Sequence, residues 1–145
     1  MIRRLPKSVL LDSSVVLKWF RKNEAWRDVA LQIRKAYLEG HLVIYVPDLL
    51  IYEIANVLRY KPDMIPAQIK ELVGSLFGMQ IKIVQISSEV IGRAVDLACA
   101  YEITVYDAAF LAMAEQLRTD FISSDEKLTQ KLGSLPYVHS LGNLA

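Results

Sequence analysis

The chain has 145 residues, 53% hydrophobic and 23% charged, a length that suits one compact domain and a composition that excludes a disordered chain. Seventeen Lys plus Arg against sixteen Asp plus Glu leave a formal charge near +1, so no global field favours a polyanionic partner, and any such binding must come from local patches or a bound cation. A single cysteine, Cys99, excludes an internal disulfide framework, and two separated histidines, His41 and His139, leave a Cys/His zinc site without ligands.

The basic opening, Met1 to Lys7, leads into only a short apolar run, without the longer apolar region and cleavage site of a signal peptide. No apolar stretch approaches the ~20 residues of a membrane span. These features read as a soluble, cytoplasmic protein, a single domain over residues 1–145.

Ser8 to Leu11 reads as a buried strand, and after Asp12 and Ser13 a short helical turn runs through Trp19. Ala25 to Glu39 has helical spacing at Val29, Ile33, Ala36 and Tyr37 and stops at Gly40. Leu42 to Val46 is a second strand, closed by Pro47. Asp48 is placed to cap a helix over Leu49 to Arg59, and Pro62 and Pro66 punctuate the turn into another, Ala67 to Phe77.

Ile81 to Ile86 reads as a third strand. Ser87 and Ser88 offer caps for a helix over Glu89 to Tyr101, and Ile103 to Val105 forms an extended link. Tyr106 to Leu117 reads as a helix, Phe121 to Ser123 as a strand, Glu126 to Leu132 as a helix and Tyr137 to Ser140 as a last strand. Strands separated by helices need crossover connections, so the pattern implies a three-layer α/β/α sandwich with a central, mainly parallel sheet.

In such sheets ligands collect beyond the carboxyl ends of the strands. Asp12 follows Val9-Leu10-Leu11 directly, and Asp125 follows Phe121-Ile122-Ser123-Ser124. Glu53 lies about one turn into a helix amid Leu49, Leu50, Ile51, Ile54 and Ala55, where a solvent-facing acid is not required. Asp107 opens an otherwise apolar helix. Taken singly, Asp107 reads equally as a partner of the helix dipole and Asp125 as an ordinary N-cap. Glu53 and Asp12 are harder to treat so, because an unpaired buried carboxylate is costly.

Four converging carboxylates would repel one another unless a cation neutralised them. Oxygen-only ligation selects a hard ion, Mg²⁺ or Mn²⁺, which can activate water and stabilise charge on a phosphodiester undergoing cleavage.

The segment Leu11-Asp12-Ser13-Ser14-Val15-Val16-Leu17-Lys18-Trp19-Phe20 resembles the opening of PIN domains, particularly VapC-type toxins. Pro47 to Arg59 is similar to the family's second acidic motif, Thr104 to Ala112 to its third, and Phe121 to Leu128 to its fourth. The motifs stand in family order from Leu11 to Leu128. The resemblance implies a parallel sheet between helices, a Mg²⁺- or Mn²⁺-dependent endoribonuclease, a homodimer, and inhibition by a small VapB-type antitoxin. Carried over position by position, it places Asp12, Glu53, Asp107 and Asp125 at the catalytic, metal-binding acids and Ser13 and Ser123 at supporting polar positions. The fourth motif more often has Thr where Ser123 stands. Asn56, one turn after Glu53, is placed to orient that carboxylate.

The remaining candidates read as structural. Cys99 is expected to pack on an apolar helix face, the histidines to be surface residues, and Trp19 and Trp26 to serve the core or an interface. Arg21, Lys22, Arg59 and Lys61 read as solvated surface charges rather than phosphate contacts. An apolar strip over Leu49, Leu50, Val57 and Leu58, with Leu72, Val73, Leu76 and Phe77, is the expected two-fold contact. The competing functions are an RNA-processing or quality-control PIN nuclease, a phosphate-accepting signalling domain, against which Asp12 stands without an adjacent acid, and a non-catalytic interaction module.

Overall fold

The structure, a computed structural model, describes Ile2 and residues 4–145; Met1 and Arg3 of the basic opening lie outside the described residues. The elements are β1 (Ser8–Leu11), α1 (Ser13–Phe20), α2 (Arg27–Leu38), β2 (Val43–Pro47), α3 (Leu49–Arg59), α4 (Pro66–Gly78), β3 (Lys82–Val84), α5 (Ser88–Tyr101), α6 (Val105–Leu117), β4 (Asp120–Ser123), α7 (Glu126–Lys131) and β5 (Val138–Ser140). A 3₁₀ turn, Leu141–Leu144, follows.

The sheet has five strands in the order β3-β2-β1-β4-β5, and every pairing is parallel. Val9, Leu10 and Leu11 are buried, as a central parallel strand covered on both faces must be. Strands β1 to β3 step outwards one way and β4 and β5 the other, so right-handed crossovers place α1 to α4 on one face and α5 and α6 on the opposite face. Contacts of α1 with α2 and α3, of α3 with α4, and of α5 with α6 agree with this layering.

Helix α6 carries no polar stripe over its middle. Every residue from Ala108 to Ala114 is buried, and its alanines let it approach the sheet and α5 closely. Glu115, at its far end, is clasped from two sides. Arg93 Nε and Nη2 donate to its Oε2 and Oε1 at 2.8 and 3.2 Å, and the Tyr137 hydroxyl donates to Oε1 at 2.6 Å. The Arg93 hydrogen bond holds the Glu115 carboxyl below its usual range, while burial and the Glu115 carboxylate push the Tyr137 hydroxyl up. The clasp ties α5, α6 and the approach to β5 together.

Several local expectations change. Helix α2 starts at Arg27 rather than Ala25 because Trp26 adopts a left-handed φ of 61°, with its indole against Gly142, where an added Cβ would meet Cε2 at 2.9 Å. Asp48 does not cap α3 with its side chain; it is itself in helical conformation, and its carbonyl accepts from Ile51 N. The third strand is shorter than Ile81 to Ile86. The extended link over Ile103 to Val105 ends a residue early, because the Thr104 hydroxyl accepts from Asp107 N and starts α6 at Val105. Cys99 is exposed rather than packed.

Among the described residues no single helix is long and apolar enough to cross a membrane. Gly40, at φ +80°, closes α2. Its N–H bonds Tyr37 O and the His41 N–H bonds Ala36 O, the paired arrangement that satisfies the last carbonyls of a helix and that a left-handed residue makes possible. Gly74, by contrast, lies inside α4 with open space where a Cβ would go. Gly40→Ala is therefore expected to destabilise the protein by about 1–2 kcal/mol, and Gly74→Ala to stabilise it by about 0.5–1 kcal/mol. Urea unfolding of both variants checks the opposite signs.

Candidate active site

The strand order reverses between β1 and β4, and the crevice beyond their carboxyl ends is where an open parallel sheet presents a ligand. Asp12 follows β1 and keeps to its ladder, its N–H donating to Ile122 O of β4 at 3.0 Å. Ser123 ends β4, and Asp125 caps α7 by accepting from Leu128 N at 3.1 Å. Glu53 projects from α3 and is half-buried. Asp107 is the third residue of α6, also half-buried.

Asp12 is 6% exposed, and among the described residues no Lys, Arg or His pairs with it. Its carboxylate is held by hydroxyls, with Ser123 Oγ donating to Oδ2 at 2.7 Å and Ser14 Oγ donating to the same oxygen at 2.8 Å. Ser13 Oγ donates instead to Glu53 Oε1 at 3.1 Å. These bonds favour the ionised forms, but burial dominates and raises the proton affinity of Asp12, with the charge of Asp107 adding to it. Glu53 is raised by its burial and by the charges of Asp12 and Asp107. Asp107 is raised by burial and by the charge of Asp125, against a lowering bond from Thr104.

The four acids therefore occupy one electrostatic neighbourhood, linked through Glu53, Asp12, Asp107 and Asp125 in turn. They do not form a finished coordination sphere: among the described residues no three His, Cys, Asp or Glu side chains make a ready ion cage. The donor chemistry nevertheless fits a hard divalent cation. The ligating atoms are carboxylate oxygens, and a cation would relieve the mutual repulsion that raises three of them. Asp12, Glu53 and Asp107, with Asp125 at the rim, are the residues that would hold it.

Of the supporting positions, Ser13 and Ser123 touch the acids as described. Asn56 is exposed, and among the described residues no hydrogen bond joins it to Glu53. Ser14 and Thr104 belong to the site but do not stand out in the sequence. Ser14 lies beside Ser13 in the same first turn, and Thr104 stands three residues before Asp107, the spacing of an N-cap.

Residues outside the site are otherwise engaged. Trp19 is buried, with Nε1 donating to Ala30 O at 2.9 Å. Arg21 and Lys18 both face Glu24, and the Arg59 guanidinium lies 5.1 Å over the Tyr60 ring. His139 Nε2 lies 3.0 Å from Asp120 Oδ2, and exposed His41 lies beside Glu39.

No curated protein sequence is significantly similar to the chain. Solved structures are similar in fold. A toxin–antitoxin complex from Klebsiella pneumoniae aligns with a TM-score of 0.67 at 18% identity, over 92% of this chain and 97% of that one. A VapBC complex from nontypeable Haemophilus influenzae aligns at 0.68 and 11% identity, over 93% and 98%. A VapC toxin from Mycobacterium tuberculosis described as cleaving the sarcin–ricin loop aligns at 0.62 and 9% identity, over 78% and 86%. The family model of the PIN domain matches residues 9–132, a span that takes in Asp12, Glu53, Asp107 and Asp125, and the chain belongs to the PIN-domain family.

Proposed function

We propose that this PIN nuclease is a Mg²⁺- or Mn²⁺-dependent endoribonuclease, the toxin of a VapBC-type pair, acting in the cytoplasm on single-stranded RNA with Asp12, Glu53, Asp107 and Asp125 as its metal-binding catalytic acids. The observation that carries the reading is Asp12, a buried carboxylate without a cationic partner among the described residues, at the reversal of strand order and in the field of a second and third acid. A structural carboxylate so placed would be a standing cost; a carboxylate that holds a cation would not. When bound, a hard divalent ion supplies activated water and charge stabilisation for phosphodiester hydrolysis. The chain's own residues orient it: Ser123 and Ser14 fix Asp12, Ser13 fixes Glu53, and the caps at Thr104 and Asp125 fix the helix starts beside it. The similarity to toxin–antitoxin complexes supports a VapB-type antitoxin as partner, and an adjoining small reading frame for a DNA-binding protein would distinguish this role from housekeeping RNA processing.

A homodimer belongs to the same reading, on a different face from the one read in the sequence. Of the strip read in the sequence, Leu50, Leu58 and Leu76 are buried within the chain, while Phe77 is exposed. Tyr52 (74% exposed) and Tyr106 (65%), with Ile86, Ile91 and Val105, instead line an apolar groove of about 240 Å³ beside Asp48 and Leu49. Exposed Val95 extends that face one turn along α5 from Ile91. We assign this face to a second copy of the chain. Light scattering should report a dimer for the parent at micromolar concentration and a monomer for the double variant Ile91→Glu, Val95→Glu; a monomeric parent without antitoxin would remove the assignment.

Cleavage of a labelled single-stranded RNA should require Mg²⁺ or Mn²⁺ and stop in excess EDTA. Undiminished cleavage in chelator would refute the mechanism.

Isosteric variants separate site acids from caps. Asp12, Glu53 and Asp107 bind protons more tightly folded than unfolded, so each contributes stability below its unfolded pKa that is lost as pH rises through the folded value. Metal-free Asp12→Asn should therefore melt at or above the parent near neutral pH, and the difference should close as pH falls towards about 4. Asp125→Asn should keep its cap, since Asn is an equal N-cap. All four variants, Asp12→Asn, Glu53→Gln, Asp107→Asn and Asp125→Asn, should lose cleavage and most of the Mn²⁺-induced rise in melting temperature. Near-parent cleavage in two or more of them would return the acids to structural roles.

A further inference from the structure

We propose that Ser14 is a positioning residue of the acid site: its hydroxyl, with that of Ser123, orients the Asp12 carboxylate through Oδ2, so that Oδ1 would be the oxygen offered to a cation, and it ties the β4–α7 loop that carries Asp125 to α1. This inference rests on the metal-dependent reading above.

A serine hydroxyl has one proton to donate and two lone pairs to accept with. Ser124 N donates to Ser14 Oγ at 3.0 Å, so Ser14 uses one of its two lone pairs there and its only proton on Asp12 Oδ2 at 2.8 Å. Ser123 is committed in the same way, accepting from Asp125 N at 3.1 Å and donating to Asp12 Oδ2 at 2.7 Å. Neither has a second proton for the other, so their 3.4 Å approach is a contact between two committed oxygens. Two hydroxyl donors on Oδ2, with the backbone N–H of Ser13 as a third donor to the carboxylate, orient it and leave Oδ1 as the oxygen free of a side-chain hydrogen bond among the described residues.

The two hydroxyls are not duplicates. Ser123 belongs to β4 and is held by its strand. Ser14 lies in the first turn of α1, and its bonds run from that helix to the loop beyond β4, with Ser124 Oγ also donating to Ser14 O at 3.4 Å. Removing the Ser14 hydroxyl would leave the Ser124 N–H without its acceptor and let Asp12 turn on a single remaining side-chain donor. Since Ser13 serves Glu53, the three residues Asp12-Ser13-Ser14 reach three of the four acids or their supporting loop.

The experiment compares the parent, Ser14→Ala, Ser14→Thr and Ser14→Cys by calorimetric Mn²⁺ titration and by kcat and KM on labelled single-stranded RNA, with melting in chelator as the measure of folding. Ser14→Ala should weaken Mn²⁺ binding about 10–100-fold, the usual effect of removing a group that orients a ligand, and lower kcat with KM for RNA little changed. Ser14→Thr, which keeps the hydroxyl, should restore most of both. If Ser14→Ala does not fold, Ser14→Cys, near in size but a weak donor, takes its place with the same expected loss. Mn²⁺ affinity in folded Ser14→Ala or Ser14→Cys within about twofold of the parent, against the loss expected of such a partner, would overturn the positioning role alone, as would equal impairment in Ser14→Thr. A parent that binds no Mn²⁺ would overturn both this inference and the metal-dependent reading.

Discussion

The pairing of β1 with β4 is the constraint on which the rest depends. It joins Val9, Leu10 and Leu11 to Asp120, Phe121 and Ile122, segments more than a hundred residues apart. Closing so long a loop costs little more entropy than closing a shorter one, because the cost grows only logarithmically, and the contacts of Asp12 and Ser14 with Ser123 and Ser124 depend on it. Once made, the parallel register brings the ends of both strands to the same edge, so Asp12 and the Ser123 to Asp125 turn meet without further design. Helix α6, which contacts β1, β2 and β4, then delivers Asp107 to that edge.

Against this frame the electrostatics run uphill. The carboxylate of Asp12 is buried against a core strand, and that burial, with the charge of Asp107 added, raises its proton affinity against the hydrogen bonds that lower it. Hydroxyl and backbone donors recover part of the lost hydration, since hydrogen bonds to an ionised acceptor are among the stronger ones. What they leave is repulsion among acids. Sites that carry such unrelieved charge are where a fold gives up stability for function.

The alternation of strands and helices, and every strand's existence, could be read from apolar runs and turn residues, because parallel strands covered on both faces are written as continuous Val, Ile and Leu. The candidate acids stood out for a related reason. Asp12 and Glu53 sit where an apolar pattern leaves no room for a charge, although Asp125 proved to be both a helix cap and a site neighbour, roles that one position cannot separate. Features set by three-dimensional neighbours were not legible. Ser13 and Ser14 are the same residue type in adjacent places, yet one serves Glu53 and the other Asp12, a division made by the direction each side chain leaves the first turn of α1. Which residues of the expected dimer strip turn inwards was not legible either: Leu50 and Leu58 belong with Ile54 to the stripe, spaced four apart, that α3 buries in its own core.

Helix α6 gives the site a property that charge alone does not. A helix buried all round from Ala108 to Ala114 and clasped at Glu115 can release its amides to solvent only when the core itself opens, so its exchange with deuterated water is tied to global unfolding rather than to local fraying. Asp107 stands at the solvent end of that slow-exchanging rod. The acid site is thus mounted at one corner on a helix of the core, while the loop of Asp125 is tied to the first turn of α1 by the hydrogen bonds of Ser14.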